Sequence, residues 1–350
     1  MKRQSMTGYG TPLEETETAT PAPSGTEVIV AVSHCGVCHS DLHLQDGYFS
    51  LGEGKQLDVR GGRELPFTLG HEIAGTVAAT GPDAEGVDTS KRYAVFPWIG
   101  CGDCALCAAC DEHLCDAAHH LGINVDGGFA THVVVPHPRY LLDVSDLDHT
   151  LAGSYMCSGL TAFSALKKAA ATVGTKGPLM IVGLGGVGMM ALQLARALFP
   201  DAILLTADID EEKRNLALEV GAAHVFNPAD PDARKQVFKT TGPIPASVDF
   251  VGAESSLNFA HSILGKGGLA VIAGLLGGKL SIPIPMFPLR VINISGSFVG
   301  SLSEAKEMLE LVRSGAVTAI PVDVRPLEDA NEALDDLRAG KVIGRVVLSI

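Results

Sequence analysis

The sequence predicts an α/β protein of two domains, one built on a doubly wound parallel sheet and the other rich in irregular β-structure. Three observations support this fold class. The chain has 350 residues, which is enough for two hydrophobic cores. After residue 152, strand-like apolar runs alternate with helical patterns, as in parallel sheets covered by helices. Before that point, short strand-like runs are separated by stretches rich in glycine, histidine and aspartate.

The β-rich part contains three recognisable strands. Residues 28–32, 73–77 and 129–136 form short runs of β-branched and small apolar residues. Residues 34–72 have few periodic segments and are predicted to form loops, which often carry binding and catalytic groups.

The second part alternates between the two kinds of element. The predicted order is a helix at 161–171, a strand at 179–182, a helix at 189–198, a strand at 202–207, a helix at 211–220, strands at 248–251 and 269–273, helices at 304–313 and 330–337, and a last strand at 346–348. Residues 179–199 are apolar enough to raise the question of a membrane span. Their four glycines and Arg196 favour a buried strand followed by a helix.

Composition narrows the functional classes. The net charge of −14 disfavours nucleic acid and anionic membranes as partners, because an acidic chain repels phosphate. The N-terminal residues are polar and lack the apolar segment of a secretory signal, so we expect a cytoplasmic protein. In that compartment the eight cysteines are more typical of metal binding or catalysis than of disulfides.

A glycine-rich turn predicts a dinucleotide site. Residues 183–188 fit the pattern G-x-G-x-x-G, between a predicted strand and a predicted helix. The glycines permit a tight turn, close approach of a pyrophosphate and close packing of helix on strand, while the helix N-terminus offers free N–H groups to the phosphates. The residues assigned to this turn are Gly183, Gly185, Gly186, Val187 and Gly188.

An acidic residue after the next strand predicts the choice of cofactor. Asp208 lies 20 residues after Gly188, where a carboxylate would accept hydrogen bonds from the adenosine ribose and repel a 2′-phosphate. NAD is therefore favoured over NADP, and Lys213 is placed beside the same ribose. The alternative role for Asp208 is to cap the helix that begins near Glu211.

A cysteine-rich lobe at about residues 97–116 predicts a structural zinc. Four thiolates can close a tetrahedron around Zn²⁺ and leave no open position. Cys110 is a surplus thiol in the same lobe and could compete as a ligand. The predicted ligands are Cys101, Cys104, Cys107 and Cys115.

An earlier segment rich in cysteine and histidine has two interpretations. Cys38 lies shortly before His71, and one cysteine with one histidine can bind zinc if a third ligand comes from elsewhere. By spacing alone, Cys35 and Cys38 could instead form a redox pair.

Together these motifs resemble the zinc-containing medium-chain alcohol dehydrogenase family, most closely its yeast and bacterial members. The segment Cys-His-Ser-Asp-Leu-His at 38–43, Gly-His-Glu at 70–72, the four-cysteine lobe and the glycine turn occur in that order across nearly the whole chain. The resemblance implies a GroES-like catalytic domain at 1–158 and 299–350, with a Rossmann-type NAD domain at 159–298.

The resemblance also implies a second, catalytic zinc held by Cys38, His71 and Cys157. Cys157 lies in Met-Cys-Ser-Gly-Leu-Thr at 156–161, which is similar to the family's third-ligand motif. Three protein ligands leave one position for water or substrate oxygen, where zinc acts as a Lewis acid toward an alcohol or carbonyl. The implied reaction interconverts an alcohol and its aldehyde or ketone by hydride transfer to or from NAD.

Further site residues follow from the same resemblance. Ser40 and His43 would relay the alcohol proton, Asp41 would orient His71, and Glu72 would lie behind the metal. Contacts to the cofactor would come from His39, Thr161, Gly274, Leu275 and Arg345. The substrate pocket would be lined by Tyr48, Phe49 and Trp98. Similar enzymes imply a small-molecule substrate and a homotetramer or homodimer.

Two features depart from the family pattern, and rival functions remain. The interval between Cys38 and His71 is longer than in many relatives, and its excess at 51–64 is expected to form a loop near the pocket mouth. Cys110 replaces a glycine common in the zinc lobe. The alternatives are a polyol or formaldehyde dehydrogenase or a quinone reductase on the same fold, and a zinc-ribbon interaction module. The predicted catalytic ligands disfavour the quinone reductase, and the glycine turn with the acidic charge disfavours the module.

Overall fold

A computed structural model describes residues 1–174 and 176–350. The β-strands of these residues are β1 Lys2–Met6, β2 Glu14–Glu17, β3 Val28–Gly36, β4 Tyr48–Gly52, β5 Lys55–Asp58, β6 Phe67–Thr68, β7 Glu72–Thr80, β8 Arg92–Val95, β9 His132–Val135, β10 Leu141–Asp143, β11 Pro178–Val182, β12 Ile203–Ala207, β13 His224–Phe226, β14 Ile244–Asp249, β15 Leu264–Ile272, β16 Asn293–Gly296, β17 Val322–Pro326 and β18 Arg345–Ser349.

The α-helices are α1 His39–Asp46, α2 Ala105–Ala108, α3 Ser158–Val173, α4 Gly186–Leu198, α5 Glu211–Glu219, α6 Ala233–Thr241, α7 Glu254–Ser262, α8 Met286–Arg290, α9 Leu302–Arg313 and α10 Ala330–Arg338. In the part of the chain that the structure describes, no helix combines the length and the hydropathy that crossing a bilayer requires.

A mixed sheet joins the first and last parts of the chain. Its strand order is β10-β8-β7-β3-β18-β17, and β9 also pairs with β3. The last strand, β18, pairs antiparallel with the end of β3, so that Leu348 lies opposite Cys35. The predicted β-rich domain is therefore completed by the C-terminal segment, and the ends of β3 and β18 meet beside the segment that begins α1.

The second sheet is parallel and has the strand order β13-β12-β11-β14-β15-β16. Alternate residues of its central strand β11 face two different cores, with Leu179 and Ile181 in one and Met180 and Val182 in the other. A strand buried on both faces reads as a continuous apolar run, and the largely buried helix α4 follows it, so the two together looked long enough for a membrane span. The direction of the strand order reverses between β11 and β14, where ligands bind in open α/β sheets.

The helix α3 links the two parts of the molecule. It begins immediately after Cys157 and packs against α4, β14 and α9. Ala162, Ala165 and Ala169 are fully buried, and their small side chains allow close approach of neighbouring elements.

The structure confirms the predicted helices and strands with small shifts of their ends, and it corrects three local expectations. Residues 34–72 are not all loop, because they include α1. The 51–64 segment contains most of a hairpin, β4–β5. The strand predicted at 248–251 is instead β14, and it ends at Asp249, whose side chain accepts hydrogen bonds from the N–H groups of Val251 and Gly252 in the following turn.

Candidate active site and metal centres

Cys38 lies between β3 and α1, at the N-cap position of the helix. Its backbone N–H donates to Asp41 Oδ2 at 2.9 Å, and its side chain is only 6% exposed. The carboxylate of Asp41 thus satisfies a backbone donor at the helix start and fixes the direction of the Cys38 thiol.

His71 is fully buried and faces the same carboxylate. Its Nδ1 lies 3.4 Å from Asp41 Oδ1, and both side chains have no solvent exposure. Burial alone would lower the pKa of His71, but Asp41 and the Cys38 thiol outweigh it and raise the pKa well above its usual value. Among the described residues neither ring nitrogen has a hydrogen-bond partner of good geometry. A buried imidazole left this way is suited to a metal.

Cys157 completes a compact group of ligand atoms. Donor atoms of Cys38, His71, Glu72 and Cys157 all lie within 4.8 Å of one another. The Cys157 thiol, together with His71, lowers the pKa of Cys38 well below that of a free thiol. Two sulfurs and an imidazole nitrogen are the donor set of a catalytic zinc, and the free ring nitrogen of His71 shows that these residues fit the ion.

Glu72 is held on both sides rather than directed freely at the group. Its Oε1 accepts a hydrogen bond from Ser158 Oγ at 2.7 Å, and its Oε2 pairs with the guanidinium of Arg345. Arg345 is 4% exposed, and although burial opposes the charged form, the charge of Glu72 raises its pKa. The ion pair therefore lies directly behind the three ligand side chains.

The glycine turn has the geometry predicted for a dinucleotide site. Gly183 has a φ of 87°, which favours glycine, and a β-carbon at Gly188 would overlap the Gly183 carbonyl oxygen. A β-carbon at Gly185 would meet only open space, which leaves room for a pyrophosphate at the start of α4. Gly186 packs against the side chain of Arg345, which places this residue between the turn and the metal group. Val187 lies in the first turn of the helix.

Asp208 lies at the end of β12 and supports the glycine turn. Its Oδ2 accepts from the backbone N–H of Leu184 at 2.6 Å. The alternative capping role belongs to a different residue, because Asp210 accepts from the N–H groups of Glu212 and Lys213 at the start of α5. The other oxygen of Asp208, Oδ1, accepts from the backbone N–H of Asp210 at 2.9 Å, so the carboxylate holds both the glycine turn and the turn after β12.

The remaining predicted cofactor contacts surround the same cleft. Burial lowers the pKa of His39, and Arg345 and Lys213 are near enough to add to the effect, so these cations come together although Lys213 lies on α5 and Arg345 on β18. Thr161 lies one turn after Cys157, and its N–H donates to the Cys157 carbonyl at 2.8 Å. The other two follow β15: Gly274 donates its N–H to Asp249, and the adjacent Leu275 is 46% exposed.

The predicted pocket residues differ in their placement. Trp98 is buried, with its ring centroid 5.5 Å from that of His71 and its Nε1 donating to the Met156 carbonyl at 2.7 Å. Phe49 packs on His43 with ring centroids 4.5 Å apart. Tyr48 is 37% exposed and lies at the edge of the site. Ser40 follows in the first turn of α1, partly exposed.

Sequence reasoning missed two residues of this wall. His120 and Phe298 both pack against Trp98, with ring centroids 5.3 and 5.6 Å from the indole. Neither lies in a recognisable motif, and they come from segments distant in sequence. Only the fold brings them to the site.

The cysteine lobe forms a second donor group. Cys104 Sγ lies 3.5 Å from Cys107 Sγ and 3.7 Å from Cys115 Sγ, and the Cys101 and Cys107 sulfurs are 4.0 Å apart. A tetrahedral zinc with bonds of about 2.3 Å separates its sulfurs by roughly 3.8 Å, so these four thiols fit the ion. Cys110 is exposed and lies outside this group.

Glu112 anchors the lobe to the mixed sheet. Its Oε2 accepts from Tyr140 Oη at 2.6 Å and from the backbone N–H of Gly100 at 3.2 Å, while its Oε1 pairs with Arg139 at 3.0 Å. The glutamate is 7% exposed, so its hydrogen bonds are shielded from water.

The fold and the site define a class of protein: an oxidoreductase that combines a dinucleotide-binding sheet with a zinc ligand set. Family models agree, since one described as zinc-binding dehydrogenase matches residues 186–314 and one described as alcohol dehydrogenase GroES-like domain matches residues 24–146. The chain belongs to the zinc-dependent medium-chain alcohol dehydrogenase family.

Individual relatives align from end to end. An NAD-dependent alcohol dehydrogenase of Saccharolobus solfataricus is 36% identical over 99% of both chains, and an alcohol dehydrogenase of Geobacillus stearothermophilus is 32% identical over 100% of both. The crystal structure of the alcohol dehydrogenase from Aeropyrum pernix superposes with a TM-score of 0.90 at 31% identity, covering 100% of both chains.

Proposed function

We propose that this enzyme interconverts an alcohol and its aldehyde or ketone by hydride transfer to or from NAD, at a zinc held by Cys38, His71 and Cys157. One observation carries the assignment of the site: two thiols and an unpartnered, buried imidazole converge at the cleft beside the glycine turn. The family and the full-length alcohol dehydrogenase relatives support the reaction class.

The two bound groups would divide the chemistry, zinc supplying Lewis acidity toward the substrate oxygen and NAD exchanging hydride with the substrate carbon. The chain's own residues bind and orient. Asp41 Oδ1 lies 3.4 Å from Nδ1 of His71, a position from which it would orient the ring and leave Nε2 for the metal. Arg345 neutralises Glu72 behind the ligands and also lies against Gly186, where it can meet a pyrophosphate.

His43 and Ser40 serve as the proton path. Burial lowers the pKa of His43, so its imidazole is neutral at pH 7 and can accept a proton during alcohol oxidation. Ser40, three residues earlier on α1 and partly exposed, lies between Cys38 and His43 in sequence and would supply the hydroxyl of this path. Phe49 covers one side of the His43 ring and keeps the path narrow.

We also propose a division of the chain into two domains, a second zinc and a cellular location. The catalytic domain comprises residues 1–158 and 299–350, and the NAD domain residues 159–298, as the two sheets suggest. The lobe binds a second, structural zinc, for which the four sulfurs are suited. All eight cysteines are free thiols, which supports the cytoplasm as the location.

A second copy of the chain is the proposed partner, giving a homodimer or homotetramer. Strand β16 lies at the edge of the parallel sheet. Apolar side chains on the segment that precedes it are exposed, namely Ile284, Leu289 and Val291. An open strand edge beside exposed apolar residues supports pairing with another subunit.

Two variants test the catalytic assignment. Cys38→Ala and His71→Ala should each lower kcat for alcohol oxidation by at least about 1,000-fold and reduce the zinc content from two ions to one per chain, because each removes a ligand. Turnover is measured across a panel of alcohols and aldehydes with NAD and NADP, and zinc by mass spectrometry.

Cys35→Ala is the matched control for these variants. It removes a buried thiol three residues from Cys38 that lies outside the ligand group. This variant should keep both zinc ions and its turnover. Near-normal turnover in the Cys38 or His71 variant would disprove the assignment.

A further inference from the structure

His120 is a polar residue in an otherwise apolar wall beside the metal group. Its ring meets Trp98 edge-on at 5.3 Å between centroids and stacks on Phe298 at 6.4 Å. The same indole also packs against His71, with the ring centroids 5.5 Å apart. His120 and the metal ligand therefore flank one side chain, and Phe298, which is 44% exposed, closes the wall toward solvent.

The polar atoms of this wall differ in whether they have a hydrogen-bond partner. The Trp98 Nε1 donates to the Met156 carbonyl. His120 is 6% exposed, and its Nε2 has no hydrogen-bond partner in the described part of the chain. A buried polar atom without a partner destabilises the folded protein, so a partner from outside the chain is favoured at this position.

The protonation state of His120 determines what that partner must be. Burial lowers the pKa of the ring to about 4, so it is neutral at pH 7, while a hydrogen bond to the Glu112 backbone opposes the shift. A neutral imidazole carries one N–H and one lone pair. With the proton on Nδ1, the unpartnered Nε2 accepts a hydrogen bond.

The turn that carries His120 is fixed by its own backbone, and the ring packs on Trp98 and Phe298. The His120 carbonyl accepts the N–H groups of Ile123, Asn124 and Val125 at 3.1–3.2 Å, which makes a tight turn. The ring therefore needs little rearrangement to meet a ligand, and pre-ordered acceptors discriminate strongly between ligands with and without a donor.

We propose that His120 is a specificity-determining residue whose Nε2 accepts a hydrogen bond from a second hydroxyl of the substrate. The favoured substrates are accordingly diols and hydroxycarbonyl compounds rather than plain aliphatic alcohols. The proposal rests on the proposed function, because it takes the carbon that exchanges hydride to lie at the Cys38–His71–Cys157 site. A plain alcohol would leave the acceptor buried and unpaired.

The test compares alcohols that differ only at the second hydroxyl. Ethylene, trimethylene and tetramethylene glycol are each compared with propanol, butanol and pentanol, in which a methyl group replaces one hydroxyl. At least one diol should exceed its partner in kcat/KM by about 10-fold or more, the value of one hydrogen bond to a buried group. Equal values in the wild-type enzyme for every pair would overturn the proposal without any variant.

Variants then assign the preference to the residue. His120→Phe keeps an aromatic ring against Trp98 but removes the acceptor, so it should abolish the diol preference, measured as the ratio of kcat/KM for each diol to that for its mono-alcohol partner. His120→Gln, which keeps an acceptor, should retain part of the preference. His119→Phe is the matched control, because His119 is the exposed neighbour. A preference that persists in His120→Phe would refute the role.

Binding gives a readout that does not depend on turnover. Trp98 is the only tryptophan of the sequence and contacts His120, so its fluorescence reports occupancy of the pocket. Diols should quench it with a lower Kd than their mono-alcohol partners in the wild type and not in His120→Phe. If no alcohol is oxidised but this difference appears, the proposed function fails and the binding role stands. If alcohols are oxidised but neither Kd nor kcat/KM differs between the diols and their mono-alcohol partners, the proposed function stands and the role of His120 fails.

Discussion

At the scale of single residues, the site depends on carboxylates that each contact two partners. Asp41 caps α1 with one oxygen and faces His71 with the other. Glu72 meets Ser158 and Arg345. These two carboxylates hold the metal-ligating side chains in place. Truncation of either would leave a buried donor or charge unpaired.

Asp208 also has two functions, and they can be separated by substitution. Asp208→Asn removes the negative charge but keeps an oxygen for the Leu184 N–H. We expect the ratio of kcat/KM for NAD to that for NADP to fall by about 10-fold or more, because the repulsion of a 2′-phosphate is lost. Steady-state kinetics with both cofactors measures this change.

Asp208→Ala provides the contrast. It removes the charge and both acceptor oxygens, so it should lower Tm by loosening the glycine turn, and by more than Asp208→Asn, which keeps one of the two acceptors. An unchanged cofactor ratio in both variants would show that the carboxylate does not face the ribose.

At the scale of elements, the sequence predicted those with a regular apolar pattern and missed those held by packing. The helices α4, α9 and α10 carry clear apolar faces and were predicted. The helix α1 follows a cysteine at its N-cap position and is mostly polar, so neither a start signal nor an apolar face indicated it. Burial of Leu42 and Leu44 holds it in place. His120 was missed for a related reason, since its role arises from neighbours distant in sequence.

The ligand sets show the same division. The spacing within the cysteine lobe was enough to predict the four thiols that the structure brings together. Cys157 lies far from Cys38 and His71 along the chain, and only the resemblance to a family pointed to it. Long-range convergence of this kind is set by the topology of the mixed sheet and is not encoded in any local pattern.

Two substitutions in one loop test the cysteine lobe. Cys107→Ala removes one of four converging sulfurs and should lower Tm by several degrees and release one zinc, because the lobe has little apolar core of its own. Cys110→Ala removes an exposed thiol from the same loop and should change neither quantity. Differential scanning calorimetry with zinc analysis checks both variants.

The Tm and the zinc content of these variants can be measured without an assay of turnover. If Cys107→Ala retained its Tm and its metal while Cys110→Ala lost them, the ligand assignment in the lobe would be wrong. Loss of Glu112 should resemble loss of Cys107 in stability, since Glu112 ties the lobe to Tyr140.

At the scale of the whole molecule, buried histidines make the fold sensitive to acid. Burial is the largest cause of a lowered pKa in a set drawn from both parts of the molecule: His34, His39, His43, His113, His120, His132 and His261. In each case the unfolded chain binds a proton at a higher pH than the folded chain does. Stability is therefore full above about pH 6.5 and is lost as the pH falls below it.

The expected result is a Tm that is steady above pH 7 and declines steadily from about pH 6.5 toward pH 4. For His120, whose pKa is about 4 in the folded protein, the contribution is at most roughly 3 kcal/mol. His120→Gln should flatten part of the decline, measured on zinc-loaded protein so that His71 stays a ligand. A Tm that does not change between pH 7 and pH 5 would contradict this account.

The pairing of β18 with β3 has a consequence for how the enzyme is made. A ribosome releases β3 early and β18 only after the whole parallel sheet, so translation leaves the mixed sheet open until Arg345 emerges. The contiguous cofactor-binding part can fold while synthesis continues, and the catalytic part must wait. Until then Glu72 has no counter-charge, so a nascent chain cannot assemble a competent metal centre before its final strand is translated.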